Sequence, residues 1–387
     1  MALIPSGVVG CFRAKHQTMT TFQHFASLED PRSDHTKHYP LASLIFLTIS
    51  AVVSNCKHFT EIAAFAEERL KWFQGHGHFP EGLTPSHDVL NDLFKRIDPR
   101  GFRSCFVEWT AAVSRVSKDR LIAIDGKTLR RNFDKFLGKK AIHVISAWSS
   151  ANQLVLAQLK VDDKSNEITA IPELLALLNL KGAVVSMDAM GCPKDIAEKI
   201  IDQGGDYLLG LKGNQYGTGQ QVEMLFVHQA ASSSHEGIDK GHGRIEVRQC
   251  DVIDDPALLA RIEGWPKLRS IVRIRSLRQE LSSGKEPSEE IRFYISSAGG
   301  SAEQFNTWVR QHWGVENKLH WVLDVNFRED EDRIRRGHAD QNMAVVRHTA
   351  LNICRLYNDP KKSLSRKRLA AAWSENYLNR LLGFKTR

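Results

Sequence analysis

An α/β core lying between two helical blocks is the fold class this sequence predicts, and three observations predict it. From Pro40 to about Lys118, apolar side chains recur every three or four positions with no strand-like alternation between them. Leu121 then opens three short β-rich runs separated by turn-forming residues. Helix-like and strand-like segments alternate after that, which calls for a sheet with a buried parallel portion. An antiparallel meander leading into βαβα order is the RNase H-like arrangement.

Residues 1–20 carry no apolar periodicity and read as a flexible extension, with Met19 an alternative start to Met1. The uncharged run Tyr39–Cys56 contains Pro40, Ser43, Thr48, Ser50, Ser54 and Asn55. It is too polar and too short for a membrane span of ~20 residues, so a buried helix is expected there. Ile62, Phe65, Ala66 and Leu70 continue the helical pattern, and Ser86 begins another helix after Thr84-Pro85. The meander is expected at Leu121–Asp125, Ala141–Trp148 and Gln153–Val161. Then follow a helix (Ile168–Leu178), a strand (Ala183–Asp188), a helix (Pro193–Gln203) and a strand (Tyr207–Leu211). Tyr216 to Ser297 alternates as β structure again, an insertion into the α/β unit, and the chain is helical from Ala302 onward. The expected division is a helical domain at 21–118, the α/β unit at 119–358 with its β-rich insertion at about 216–297, and a basic helical tail at 359–387.

The 387 residues are 42% hydrophobic and 25% charged, which supports a sizeable core and excludes disordered and collagen-like classes. Six cysteines without a C-x-x-C pair read as reduced and cytoplasmic, and no signal peptide is recognised. The net charge is +8, and residues 361–387 alone hold eight Lys/Arg against one Glu. Nearly all the excess is therefore in the tail, which suits a polyanion, either nucleic acid or an anionic membrane surface.

Asp125 ends the first strand and precedes Gly126-Lys127-Thr128-Leu129-Arg130-Arg131. A carboxylate at a strand end beside cations suits a metal with phosphates around it, while a turn-forming Asp capping its own backbone has the same sequence. Asp188 repeats the design after Val184-Val-Ser-Met, where an ionised group beside an apolar run needs a partner or a cation. In the helix around Trp308–Trp321, Phe305, Trp308, Val315, Leu319 and Val322 form an apolar stripe. Beside it His312, Glu316, His320 and Asp324 recur every four residues. That second stripe reads as a solvated face, or as a zinc site that lacks a recognised pattern. Lys212 and Asn214 in LKGNQ could contact phosphate or simply form a polar turn, and the same pair of readings applies to His242-Gly-Arg244. Phosphodiester cleavage needs hard cations held by oxygen ligands, so Asp125, Asp188 and Glu316 meet the requirement without histidine.

Several strings together resemble one family. AIDGKTLRR, KSNEITAIPELL, VVSMDAMGCPKDIAEKI, GGDYLLGLKGNQ, KGHGRIEVR and HWGVENKLHWVLDVNFREDEDRIRR are similar to the insertion-sequence transposases of the H-repeat-associated type, in the DDE superfamily. The likeness runs from about Phe22 to Leu382. It implies a DNA transposase with an RNase H-like core, a β-rich insertion before the catalytic Glu and a helical N-terminal domain. It also implies Mg²⁺ dependence, with Mn²⁺ a substitute. By motif, Asp125, Asp188 and Glu316 are the catalytic and metal-holding residues. Lys127, Arg130, Arg131, Lys212, Asn214, Arg310, Arg366, Lys367 and Arg368 are the expected DNA contacts. The partners implied are element ends and target duplex, bound by a homo-oligomer without a membrane. The Tyr/Arg/Glu/Lys signature of hairpin-forming relatives is absent, because Val309, His312 and Leu323 stand at its places. A hydrolytic nuclease with the same core, or a catalytically inactive DNA-binding protein, are the other readings.

Overall fold

The computed structural model describes residues 22–114, 121–131, 133, 140–161, 167–188, 194–212, 216–241, 243–281 and 286–384. The chain divides into two compact units. Met1–Ser114, Leu129–Ile142 and Val322–Arg387 make one, and Arg115–Thr128 with His143–Trp321 make the other.

In the first unit, helix α1 (Leu41–Val53) is buried from Ser43 to its end, as an apolar-all-round helix must be. Its Thr48 hydroxyl is satisfied by donating to the Leu44 carbonyl at 2.8 Å. Helices α2 (Phe59–Glu68) and α3 (Leu70–Gly75) follow, and Phe46 of α1 stacks on Trp72 and on the His78 ring. Helix α4 (His87–Arg96) starts where Ser86 accepts the Val89 N–H. Helix α5 (Pro99–Val113) starts where Asp98 accepts the N–H groups of Arg100 and Gly101, with Pro99 in the first turn.

The second unit is a mixed α/β body built on one nine-stranded sheet. Strands β1 (Leu121–Thr128), β2 (His143–Ser149) and β3 (Leu154–Val161) form the meander. Helix α6 (Glu167–Ala176), β4 (Val184–Met187), α7 (Lys194–Asp202) and β5 (Asp206–Leu211) then alternate. The stretch read as a mostly β insertion opens with a helix, α8 (Tyr216–His228), whose Val222, Leu225 and Phe226 are buried. Gly217 and Gly219 in its first turn hid the helical signal. Strands β6 (Ser233–Gly241) and β7 (Arg244–Ile253) follow, then the single turn α9 (Pro256–Leu259), β8 (Ser270–Glu280) and β9 (Ser288–Ser296).

The strand order is β3-β2-β1-β4-β5-β9-β8-β7-β6. β1 is parallel to β4 and β4 to β5, whereas β9 returns antiparallel to β5. Strands β6 to β9 therefore prolong the same sheet. Helix α10 (Ala302–Val315) closes one face, packing Phe305, Trp308 and Val309 against Leu121, Leu208, Val252, Val272, Ile274 and Tyr294.

A π turn over Glu316–His320 continues α10 into α11 (Trp321–Phe327), along which the chain passes back to the first unit. There α12 (Ala339–Leu356) is buried at fifteen of its eighteen positions. Its Asn342 amide donates to the Phe94 and Ile97 carbonyls at 3.0 Å each, satisfying the frayed end of α4. Helices α13 (Leu364–Trp373) and α14 (Glu375–Leu382) complete the unit, with Tyr377, Leu378, Leu381 and Leu382 in its core. Among the described residues no helix is long and apolar enough to cross a membrane.

Candidate active site

The register of β1 against β4 builds the site. Ile124 lies opposite Met187 in parallel, so the next residues, Asp125 and Asp188, come side by side. Asp188 lies just past the end of β4, whereas β1 runs on to Thr128, paired with β2, and Asp125 is not the strand end that its sequence suggests. Neighbouring strands run ~4.8 Å apart, and residues level in a parallel pair point to the same face. That face is the one α10 covers. Ala123, Asp125, Ser186 and Asp188 share it, while Gly126 and Thr128 face the side of α6.

Both carboxylates have donors from other elements. Asp125 Oδ1 accepts the Gly126 N–H at 2.9 Å, and Oδ2 accepts His320 Nε2–H at 3.0 Å. Asp188 Oδ2 pairs with Lys212 Nζ at 3.3 Å, the lysine coming from the end of β5. Above them His312 Nδ1 and the Ser186 hydroxyl are 3.0 Å apart, both buried. Burial works against the charged form of Asp125. The His320 hydrogen bond, the His320 and His312 charges and the Gly126 N–H outweigh it and hold the carboxyl below the ordinary range. Burial pushes the His312 imidazole down, against the pull of Asp125 and Asp188.

The stripe read as solvated is thus divided. His312 and His320 are buried and turned to the sheet, whereas Glu316 is exposed. An unbroken α-helix drifts ~40° for every four residues, which would carry His320 ~80° round from His312. The π turn holds one residue more per turn and takes back much of that drift, so both rings reach the sheet. Nothing in the four-residue spacing signals such a turn.

On the reverse face, Thr128 Oγ1 meets His143 Nδ1 at 2.9 Å, and His143 Nε2 meets Glu167 Oε1 at 2.5 Å. A Cβ at Gly126 would overlap Glu167 Oε1 and lie 2.6 Å from His143 Nε2. The glycine of IDGKT therefore makes room for the glutamate of SNEI, a link that two separate motifs did not reveal.

Two acids paired by strand register, flanked by the motifs IDGKT and HWGVENKLHW, meet the known proteins at this point. The pattern of the family described as "Transposase DDE domain" matches residues 116–353, and "DDE_Tnp_1-associated" matches residues 22–110. The chain belongs to the DDE transposase family. It is similar to the H repeat-associated putative transposase YhhI of Escherichia coli K12, with 42% identity over 93% of this chain and 97% of that one. Another relative from the same strain, named putative protein YbfL, shows the same identity and coverage. Putative transposase YncI of Escherichia coli O157:H7 is 38% identical over 94% of this chain and 96% of its own. Among solved structures, a piggyBac transposase synaptic complex with hairpin DNA aligns over 94% of this chain and 75% of that chain, at 10% identity and a TM-score of 0.45.

The DDE family is generally dependent on a divalent metal. Asp125 and Asp188 suit one, as adjacent oxygen donors of low pKa character on the Asp125 side. Among the described residues no three His, Cys, Asp or Glu side chains gather closely enough to hold a metal, so Glu316 is not clustered with the pair.

The expected DNA contacts are scattered. Lys127 is half-buried on β1 of the second unit. Arg130 and Arg131 are exposed and belong to the first unit, where Arg130 faces Asp330 at 3.5 Å. Lys212 is exposed beside Asp188, and Asn214 and His242 lie outside the described residues. Arg310 forms an ion pair with Asp239. In the tail Arg366 is exposed, but two expectations need correction. Lys367 Nζ is spent on the Cys354 and Tyr357 carbonyls at 3.0 and 2.6 Å. Arg368 is 1% exposed, donates to the Asn326 and Val52 carbonyls and lies 3.9 Å from the Phe327 ring centroid. Arg368 is a core residue whose charge sequence could not distinguish from its surface neighbours.

Proposed function

We propose that the protein cuts the ends of an insertion sequence and joins the freed 3′-OH to target DNA, on an RNase H-like core and as a homo-oligomer on DNA. The side-by-side register of Asp125 and Asp188 on adjacent parallel strands supports this reading most directly. Asp125 and Asp188 would hold Mg²⁺, or Mn²⁺ in its place, and Glu316, exposed at the start of the π turn and apart from the pair in this structure, would join the ligand set on binding. Bound there, the ions would activate the attacking oxygen and stabilise the leaving one during in-line displacement at phosphorus.

The chain's own groups supply the rest. His320 and the Gly126 N–H fix the Asp125 carboxylate and leave each oxygen a further lone pair for a cation. Lys212 is placed to exchange Asp188 for a phosphate oxygen, since its ammonium is exposed and its stem flexible. Lys127 offers a second cation on the same strand as Asp125. Arg130, Arg131, Arg310 and Arg366 are proposed as backbone contacts further out.

Water and a DNA 3′-OH are both oxygen nucleophiles, so the acids alone do not separate a transposase from a nuclease. The test is an assay on labelled element ends with Mg²⁺, followed by pre-cut ends offered unrelated duplex. Covalent joining is expected, and Asp125→Ala, Asp188→Ala and Glu316→Ala should lose cutting and joining together while remaining folded. Cutting without joined product across many targets assigns a nuclease. DNA binding with neither reaction assigns an inactive copy.

A further inference from the structure

We propose that His320 is the positioning residue of Asp125, delivered by the π turn, and that it sets how tightly the site takes a divalent cation. The inference rests on the reading of Asp125 as a metal-holding carboxylate.

Three observations carry it. His320 is 9% exposed, and its Nε2 reaches Asp125 Oδ2 at 3.0 Å. Its Nδ1 is buried and has no hydrogen-bond partner among the described residues. The carboxylate accepts, so Nε2 must carry the hydrogen. The ring therefore has one polar task, which is to hold Asp125. Thirdly, the helix departs from α geometry over Glu316–His320, and that departure is what brings the ring level with Asp125. Such turns are frequent at functional sites.

The consequence concerns orientation. Asp125 is anchored through both oxygens, Oδ1 by a backbone N–H and Oδ2 by a rigid, buried ring. Asp188 is met by an exposed lysine on a flexible stem. Asp125 is thus fixed in advance by two donors, one on each oxygen. Groups that orient a metal's ligands change affinity by ~10–100-fold when they are removed.

The test uses the full chain and Mn²⁺ as the probe, followed by electron paramagnetic resonance or calorimetry, with no DNA present. His320→Met fills the space without a donor, and His320→Gln retains one. Mn²⁺ should bind about 10-fold more weakly to His320→Met and within about threefold of wild type to His320→Gln. Both variants should unfold at similar temperatures. Equal affinity in wild type and His320→Met overturns the inference, and equal weakening in both variants does so too, because it assigns the ring a packing role. Asp125→Ala is the control for the underlying site. If it binds Mn²⁺ as wild type does, the metal assignment itself fails, whatever His320 does.

Discussion

Replacing Arg368 by methionine separates a structural cation from a DNA-binding one within a single short helix. The guanidinium gives charge-assisted hydrogen bonds to two carbonyls, Asn326 and Val52, and packs on Phe327. Hydrogen bonds from a charged donor contribute ~1.5–3 kcal/mol each, and a desolvated cation–π contact ~2 kcal/mol, for a gross ~5–8 kcal/mol. Against this stands the cost of burying the cation, several kcal/mol, which is also why burial lowers its pKa to about 10. The net loss in Arg368→Met should be ~2–4 kcal/mol. Urea titration of wild type and variant measures it as a shift in midpoint at unchanged slope. Arg366, exposed two residues earlier on the opposite side of the same helix, supplies the contrast. Arg366→Ala should move stability by less than ~0.5 kcal/mol. It should also flatten the slope of log K for DNA against log salt by ~0.9. If Arg368→Met leaves the midpoint in place while DNA binding weakens, the side chain faces DNA and the reasoning fails.

Gly126→Ala should destabilise by ~1–3 kcal/mol, because its Cβ overlaps the Glu167–His143 pair. Glu167→Ala in the same background should remove most of that penalty in a double-mutant cycle, and an undiminished penalty would place the strain elsewhere. Lys212→Met should tighten Mn²⁺ binding about 3- to 10-fold, since a unit charge close to the ion is worth ~1 kcal/mol even in water. It should also slow DNA cleavage, whereas weaker metal binding would contradict its proposed exchange. His78 is held down to about 4, by burial first and then by the His76 charge. Between about pH 4 and 6.5 the unfolded chain then binds the extra proton. Stability from this residue is complete above 6.5 and falls as pH drops toward 4. Melting temperatures of His78→Gln should fall less steeply over that window, with equal slopes counting against the assignment.

The parts of the fold that repeat in sequence were legible there. The strands of the meander begin within two residues of their expected positions, and α1 is buried as its uncharged run requires. Helix α8 escaped because two glycines in its first turn broke a short apolar pattern. The site was half legible. A carboxylate after an apolar strand is visible as a conflict between charge and burial, which is why Asp125 and Asp188 stood out. His312 and His320 did not, because their burial depends on a π turn and on a sheet face that is distant in sequence. Nothing beside Gly126 in sequence announces its constraint, which comes from Glu167 forty-one positions later.

Strand β9 closes against β5, and the chain then enters α10, so the sheet grows outward from β5 while everything it hands to α10 leaves from the inner edge. Length can therefore be added at the far hairpin, between β6 and β7, without displacing a residue of β5 or α10. Such a layout lets the outer strands diverge freely. A peptide tag or an additional hairpin spliced between Gly241 and Arg244, the last pair of the β6–β7 ladder, would lengthen the sheet's outer margin and leave the two aspartates where they are.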